Sequence, residues 1–240
     1  MKGLFCPLVI LLALVLALPA GAQQRYAGVI GGLNIAEIDY VNSSGMEQLT
    51  TSRTTFGIGG VFGFRLNENL CLELEPMYLQ KGGTDLADRT NPDINWKLSF
   101  LEIPAFLKVS FGNALRPYVM AGPTIGFLLS SKAEGEVGHL YGGQPLQVYK
   151  ADFKDASKSF DFGIALGAGV GFTIGMKTIF LDGRYTFGLI DLLQSGTIEW
   201  KSGDEVIEAQ VPGGAELSTS GAQVMAGITF PFGTKMSTAK

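Results

Sequence analysis

Few residues in this chain could do covalent chemistry. His139 is its only histidine and stands near Tyr141. A lipid-acting enzyme at a membrane rim would join such a histidine to a serine and a carboxylate. Asp152 or Asp155 could supply that carboxylate, but nothing in the spacing selects either, and a solvated loop histidine fits the pattern better. Cys6 lies in an N-terminal apolar run, which leaves Cys71 without a disulfide partner and without a zinc cluster. Cys71 reads as a small buried side chain. Gly167-Ala168-Gly169-Val170-Gly171 has the look of a nucleotide loop, but no helix follows to present its backbone N–H groups. No catalytic residue, metal site or cofactor is expected, and the chain reads as a non-enzyme. Asp191, Glu199, Asp204, Glu205, Glu208 and Glu216, against Lys201, form an acidic stretch that could hold calcium or a basic partner. A solvated loop is the default for such a stretch.

A second group of charges is more informative. Arg65, Glu73, Glu75, Glu102, Lys108, Asp161, Asp182 and Arg184 interrupt otherwise apolar segments. Each falls on the face opposite the bulky apolar residues of its segment. Charges enclosed together must pair, because an unpaired buried charge is expensive. The expectation is an internal salt-bridge network, mainly structural, that plugs a narrow lumen.

Those positions follow from a period of two. From Phe160 to Ile174 the even residues are apolar (Phe160, Phe162, Ile164, Leu166, Val170, Phe172) and the odd ones are mostly small (Gly163, Ala165, Gly167, Gly169, Gly171). A helix repeats every 3.6 residues and would not sort them so. Similar runs span Tyr26–Ile35, Thr54–Leu66, Leu70–Lys81, Lys97–Phe111, Pro117–Leu129, Thr178–Leu189 and Ser220–Phe232, giving eight strands. Faces are least distinct in the fifth. Connections after the even strands are short, whereas loops 36–53, 82–96, 130–158 and 190–219 are long. Within the last, Thr197–Trp200 and Glu205–Ala209 flank Ser202-Gly203-Asp204 as a hairpin would.

Before the strands, Met1-Lys2, an apolar Leu4–Leu18 and Ala20-Gly21-Ala22 form a secretory signal, with cleavage near Ala22. The alternative, an uncleaved anchor, has too short an apolar run for the ~20 residues of a spanning helix. The organisation expected is thus a signal peptide (1–22), a barrel (23–233) and a short tail (234–240). Charged residues are 17% of the chain, and its 33 glycines accompany a positive mean hydropathy. The formal charge of −4 argues against nucleic acid.

Periodicity alone does not say which face looks inward. A soluble lipocalin-like carrier would bury the bulky face. Eight strands, however, enclose a bore barely wide enough for side chains, and Phe, Leu and Ile from every strand would overfill it. The glycines suit it. Twelve steps from Phe160 to Phe172, at ~3.3 Å each and tilted ~45°, rise roughly 28 Å, enough for a bilayer. Phe56, Phe62, Phe64, Phe160, Phe162, Phe172, Tyr185, Phe187, Phe230 and Phe232 are therefore expected to face lipid, some of them in rim girdles. The fold class expected is all-β: an eight-stranded antiparallel up-and-down transmembrane β-barrel with short periplasmic turns and four long extracellular loops.

Phe100-Leu101-Glu102-Ile103-Pro104-Ala105-Phe106-Leu107-Lys108 resembles a strand motif of Bacteroidota outer-membrane proteins in the porin/PorT-like family. Gly31–Asn34, Arg116–Pro123 and Leu181–Leu189 add to the resemblance. It implies an OmpA/OmpX-like barrel in the Gram-negative outer membrane, in contact with its lipids and assembly machinery. It does not imply one function. PorT-like members are linked to protein secretion, so secretion or surface partners would meet the long loops. Such barrels usually end on an aromatic residue; here Phe230-x-Phe232 precedes Gly233–Lys240, which makes the assembly signal internal.

Overall fold

Alternating side chains in this chain build a closed wall. A computed structural model of the protein describes residues 24–41, 50–85, 94–137, 147–194, 196–202, 205–210 and 216–232. The expected signal peptide, the tail, Asp204 and His139 lie outside the described residues.

The strands are β1 (Arg25–Val41), β2 (Thr50–Arg65), β3 (Leu70–Leu74), β4 (Met77–Asp85), β5 (Ile94–Ser110), β6 (Leu115–Val137), β7 (Gln147–Asp152), β8 (Phe160–Ile174), β9 (Lys177–Gly188), β10 (Thr197–Ser202), β11 (Glu205–Gln210) and β12 (Glu216–Phe232). Eight stations form the ring β1, β2, β3/β4, β5, β6, β8, β9 and β12, each antiparallel to the next. Closure is made by β1 and β12, in register from Arg25↔Phe232 to Val41↔Glu216. A closed ring leaves no unpaired edge in hydrocarbon, which offers no water to replace a missing hydrogen bond. At one end the turns are tight. Asn67 Oδ1 accepts the N–H groups of Asn69 and Leu70, at 2.9 and 2.8 Å. Gly175 takes φ +62°, where a side chain would be strained.

The third station is two strands, not the single run Leu70–Lys81. Pro76 has no N–H to give the ladder, and the chain steps out of register there: Glu75 N–H reaches Pro104 O at 3.1 Å, and Gly60 N–H reaches Pro76 O at 2.9 Å. On the fifth station a bulge opposite Ser99/Phe100 inserts Leu129 into β6. Below it Val119 and Ala121 face outward; above it the parity reverses, so Lys132 is exposed and Ala133 buried. That reversal explains why the faces of this strand are hard to read from sequence.

Two cores result. Within the membrane-spanning bore, Ile30, Val61, Met77, Leu79, Phe106, Tyr118, Met120, Phe180 and Met225 pack together. Their outward neighbours, such as Val29, Ile58, Leu181 and Val224, are more than half exposed. Above the bore the strands run past the expected limits, so the loops are shorter than expected. Part of the third loop returns as β7 beside the upper end of β6, and β10 pairs with β7 and β11. The β10–β11 hairpin stands where the sequence places it. Trp96, Leu98, Phe100, Phe153, Leu192, Leu193, Ile198 and Leu217 form a second core under these segments, with the Trp96 and Phe153 rings 4.9 Å apart.

Candidate functional site

The inward face of one station gives the order of layers in the bore. Up β3 and β4, the buried side chains are Cys71, Glu73, Glu75, Met77, Leu79 and Lys81. The sequence on that face is ionic, then apolar, then ionic again.

In the lower ionic tier, Lys108 Nζ lies 3.0 Å from Glu73 Oε1, and Tyr26 OH donates to Glu73 Oε2 at 2.6 Å. Arg184 contacts Glu75 Oε2 through Nη1 and reaches Asp182 Oδ1 with Nη2 at 2.8 Å. Tyr118 OH donates to the other oxygen of Asp182 at 2.9 Å. Aromatic faces complete the seats of the cations: Lys108 Nζ is 3.8 Å from the Tyr118 ring centre, and Arg184 Cζ is 5.0 Å from that of Phe106. In the upper tier one ammonium serves two carboxylates. Lys81 Nζ lies 2.7 Å from Glu102 Oε2 and 2.9 Å from Asp161 Oδ2, over the Phe100 ring at 5.0 Å. All eight of these ionic groups are buried.

The glycines of the opposing wall make room for this filling. A Cβ on Gly169 would stand 2.6 Å from Tyr118 Cζ, and one on Gly63 would enter the Tyr26 ring. The bore is therefore filled by large side chains from some stations lying against bare backbone of others.

Of the charged residues expected to meet inside, Glu73, Glu75, Glu102, Lys108, Asp161, Asp182 and Arg184 are brought together in these tiers. Arg65 is not. It shares their face but sits at the short-turn end, where its Nη1 donates to Gln24 Oε1 at 2.8 Å. Lys81, Tyr26 and Tyr118 complete the tiers and were not singled out from sequence. Lys81 was legible, since it has the parity of Glu73 and Glu75.

On the outer face, Phe56, Phe62, Phe160, Phe172, Phe187, Phe230 and Phe232 are exposed, and Phe162 and Tyr185 are half-buried. Phe64 departs from expectation. It lies on the outward parity but is only 8% exposed, with the Arg25 guanidinium 5.9 Å from its ring centre. Phe160 and Phe172 mark opposite ends of β8, and Phe127 meets Phe160 edge-on at 6.0 Å.

Among the loop carboxylates, Asp191 and Asp152 serve the cap. Asp191 Oδ1 accepts the N–H groups of Leu217 and Leu193 at 2.8 and 3.0 Å, while Lys158 Nζ is 3.0 Å from Oδ2. Partial burial opposes the charge on Asp191, but these donors outweigh it and hold its pKa below the usual value. Asp152 accepts the Lys154 N–H at 2.9 Å. No group of three or more His, Cys, Asp or Glu side chains is placed to hold a metal ion among the described residues.

A family model described as "Outer membrane protein beta-barrel domain" matches residues 22–194. The chain belongs to this outer-membrane β-barrel family. The match ends before β12, which the ring needs for closure, so the barrel extends beyond the matched residues. Solved barrels of the same fold include a major outer membrane protein from Thermus thermophilus, at 9% identity and TM-score 0.50, covering 88% of this chain and all of that one (100%). Neisserial surface protein A is similar at 15% identity and TM-score 0.43, covering 87% and 97% of the two chains. Escherichia coli outer membrane protein W is similar at 15% identity and TM-score 0.39, covering 89% and 100%. No curated protein matches the sequence. Membership in the family places this barrel in the outer membrane.

Proposed function

We propose that the protein is a non-enzymatic outer-membrane barrel with a closed bore, serving envelope structure and surface contacts through its extracellular cap. One observation carries this reading. Five buried carboxylates and three buried cations, in two tiers, enclose a layer of Met77, Leu79, Met120 and Met225. An eight-stranded wall leaves no further room for a water column. The cap supports a contact role, because its segments are held on a core of their own and present a fixed surface. The mature chain is proposed to begin near Gln23, and membrane lipids and the assembly machinery are the first partners expected. Reconstitution into planar bilayers tests the closed bore: no stepwise conductance is expected, and ohmic steps from the folded, heat-modifiable form would refute it.

A second reading, an accessory of secretion in the PorT-like branch of Bacteroidota, is favoured by the stretch Phe100–Lys108. Two of its residues, Glu102 and Lys108, are spent on the tiers, so the motif speaks for barrel construction before partner choice. A pull-down from detergent-solubilised membranes separates the readings. Stoichiometric recovery of secretion components supports the second, and their absence leaves the first.

A further inference from the structure

The bore is filled above the lower tier but hollow beneath it. A cavity of about 640 Å³ opens at the periplasmic, short-turn end, and Tyr26, Glu73, Lys108 and Tyr118 border it. Arg65 from β2 and Arg116 from β6 also line it. Both are half-buried.

These two arginines differ from the cations deeper in the bore. Lys81, Lys108 and Arg184 each hold a carboxylate. Arg65 and Arg116 form no ion pair among the described residues, and their acceptors are neutral. Arg65 donates to the side-chain carbonyl of Gln24 at 2.8 Å, and Arg116 Nη2 to the backbone carbonyl of Glu68 at 2.6 Å. The Glu68 carboxylate, in an exposed turn, pairs with neither. Glu73 is committed to Lys108 and Tyr26. Two like charges held in a concave mouth, with low-dielectric walls around them, focus a positive potential on the space between. Each guanidinium keeps donors free, in the planar fork that matches a phosphate or carboxylate. The volume falls within the ~300–1,000 Å³ of small-molecule sites. The buried Phe180 adds apolar lining, which a bare inorganic ion would not use.

We propose that this mouth is a binding site for a phosphate-bearing ligand of headgroup size, held between Arg65 and Arg116. The ligand enters from the periplasmic side, either as the headgroup of an inner-leaflet glycerophospholipid or as a soluble phosphate ester. It needs no passage through the barrel, so the site is compatible with a closed bore and does not depend on the role of the cap.

The test uses the full mature barrel in a non-ionic detergent, with the Nε–Hε resonances of Arg65 and Arg116 as the readout. Two probes are titrated: glycerol 1-phosphate, and dihexanoyl phosphatidylglycerol below its micelle concentration. Saturable shifts at both arginines are expected, with a Kd of about 1 mM or tighter for at least one probe. Saturation by the ester identifies a soluble source, and saturation by the short-chain lipid alone identifies a membrane source. Arg65→Gln with Arg116→Gln, followed at the backbone amides of Ser110 and Gly171 in the lining in both wild type and variant, should weaken binding by at least ~10-fold, about 1.4 kcal/mol. Arg65→Lys keeps the charge but loses the fork, and should weaken it less. Because the wild-type titration stands by itself, poor folding of a variant does not rescue the idea. If neither probe saturates, or if a folded double variant binds as tightly as wild type, the proposal is overturned.

Discussion

The two ionic tiers solve the same problem with different redundancy. The lower tier sets Lys108 and Arg184 against Glu73, Glu75 and Asp182, and two tyrosine hydroxyls donate to the same carboxylates. Among the described residues, the upper tier sets Lys81 alone between Glu102 and Asp161, with only Thr219 as a further side-chain donor, at 3.4 Å. Removing Lys108 leaves Tyr26 donating to Glu73, whereas removing Lys81 leaves two buried carboxylates facing each other. The difference teaches that a buried charge network is as robust as the cation with the fewest donors to replace it.

Lys81→Met should therefore have the largest effect, about 3–5 kcal/mol, because it strands two charges in a dry interior. Urea titration of the barrel in lipid vesicles measures it. Adding Glu102→Gln and Asp161→Asn to Lys81→Met should recover much of the loss. If Lys81→Met costs no more than Lys108→Met, the comparison fails. Lys108→Met should cost less, about 1.5–3 kcal/mol, since Tyr26 still donates to Glu73. Combining it with Tyr26→Phe should cost more than the sum of the two single changes, read in the same titration. Gly169→Ala tests the packing of ring against backbone. Its Cβ would press on Asp182 Cβ, the Leu181 carbonyl oxygen and the Tyr118 ring, so about 1–3 kcal/mol of strain is expected, read in the same titration.

The smallest effect belongs to the cap. The depressed pKa of Asp191 means that its contribution is present above the ordinary aspartate value of 3.8 and is lost as pH falls through the lower folded value. Hydrogen exchange at the Leu193 and Leu217 amides should rise below about pH 4 while bore amides stay protected. Equal loosening of bore and cap would show that the two cores are not separate.

Much of this was legible in the sequence, and what was not has one cause. Side-chain parity tells which face a residue takes, so β8 and the outward phenylalanines of β2, β9 and β12 could be placed directly. Parity does not tell height along the bore, because height depends on strand stagger and on where bulges fall. Arg65 and Glu73 share a face, yet one lies at the open mouth and the other in a closed tier. Lys81 shares that face too, but what makes it a partner is Glu102 and Asp161 rising to its level from β5 and β8. The interruption at Pro76 and the inserted Leu129 shift those levels. Phe64 shows the same limit on the outside, where a neighbour on β1 covers a ring that alternation turns outward.

The most direct test of the filled bore is solid-state NMR of the protein in lipid bilayers, measuring transfer from Lys81 Nζ to the side-chain carboxyl carbons. Cross-peaks to both Glu102 and Asp161, with no rapid exchange of the ammonium with water, are the predicted result. An ammonium that exchanges freely and shows no carboxyl contact would mean that water occupies the bore, and would contradict the account.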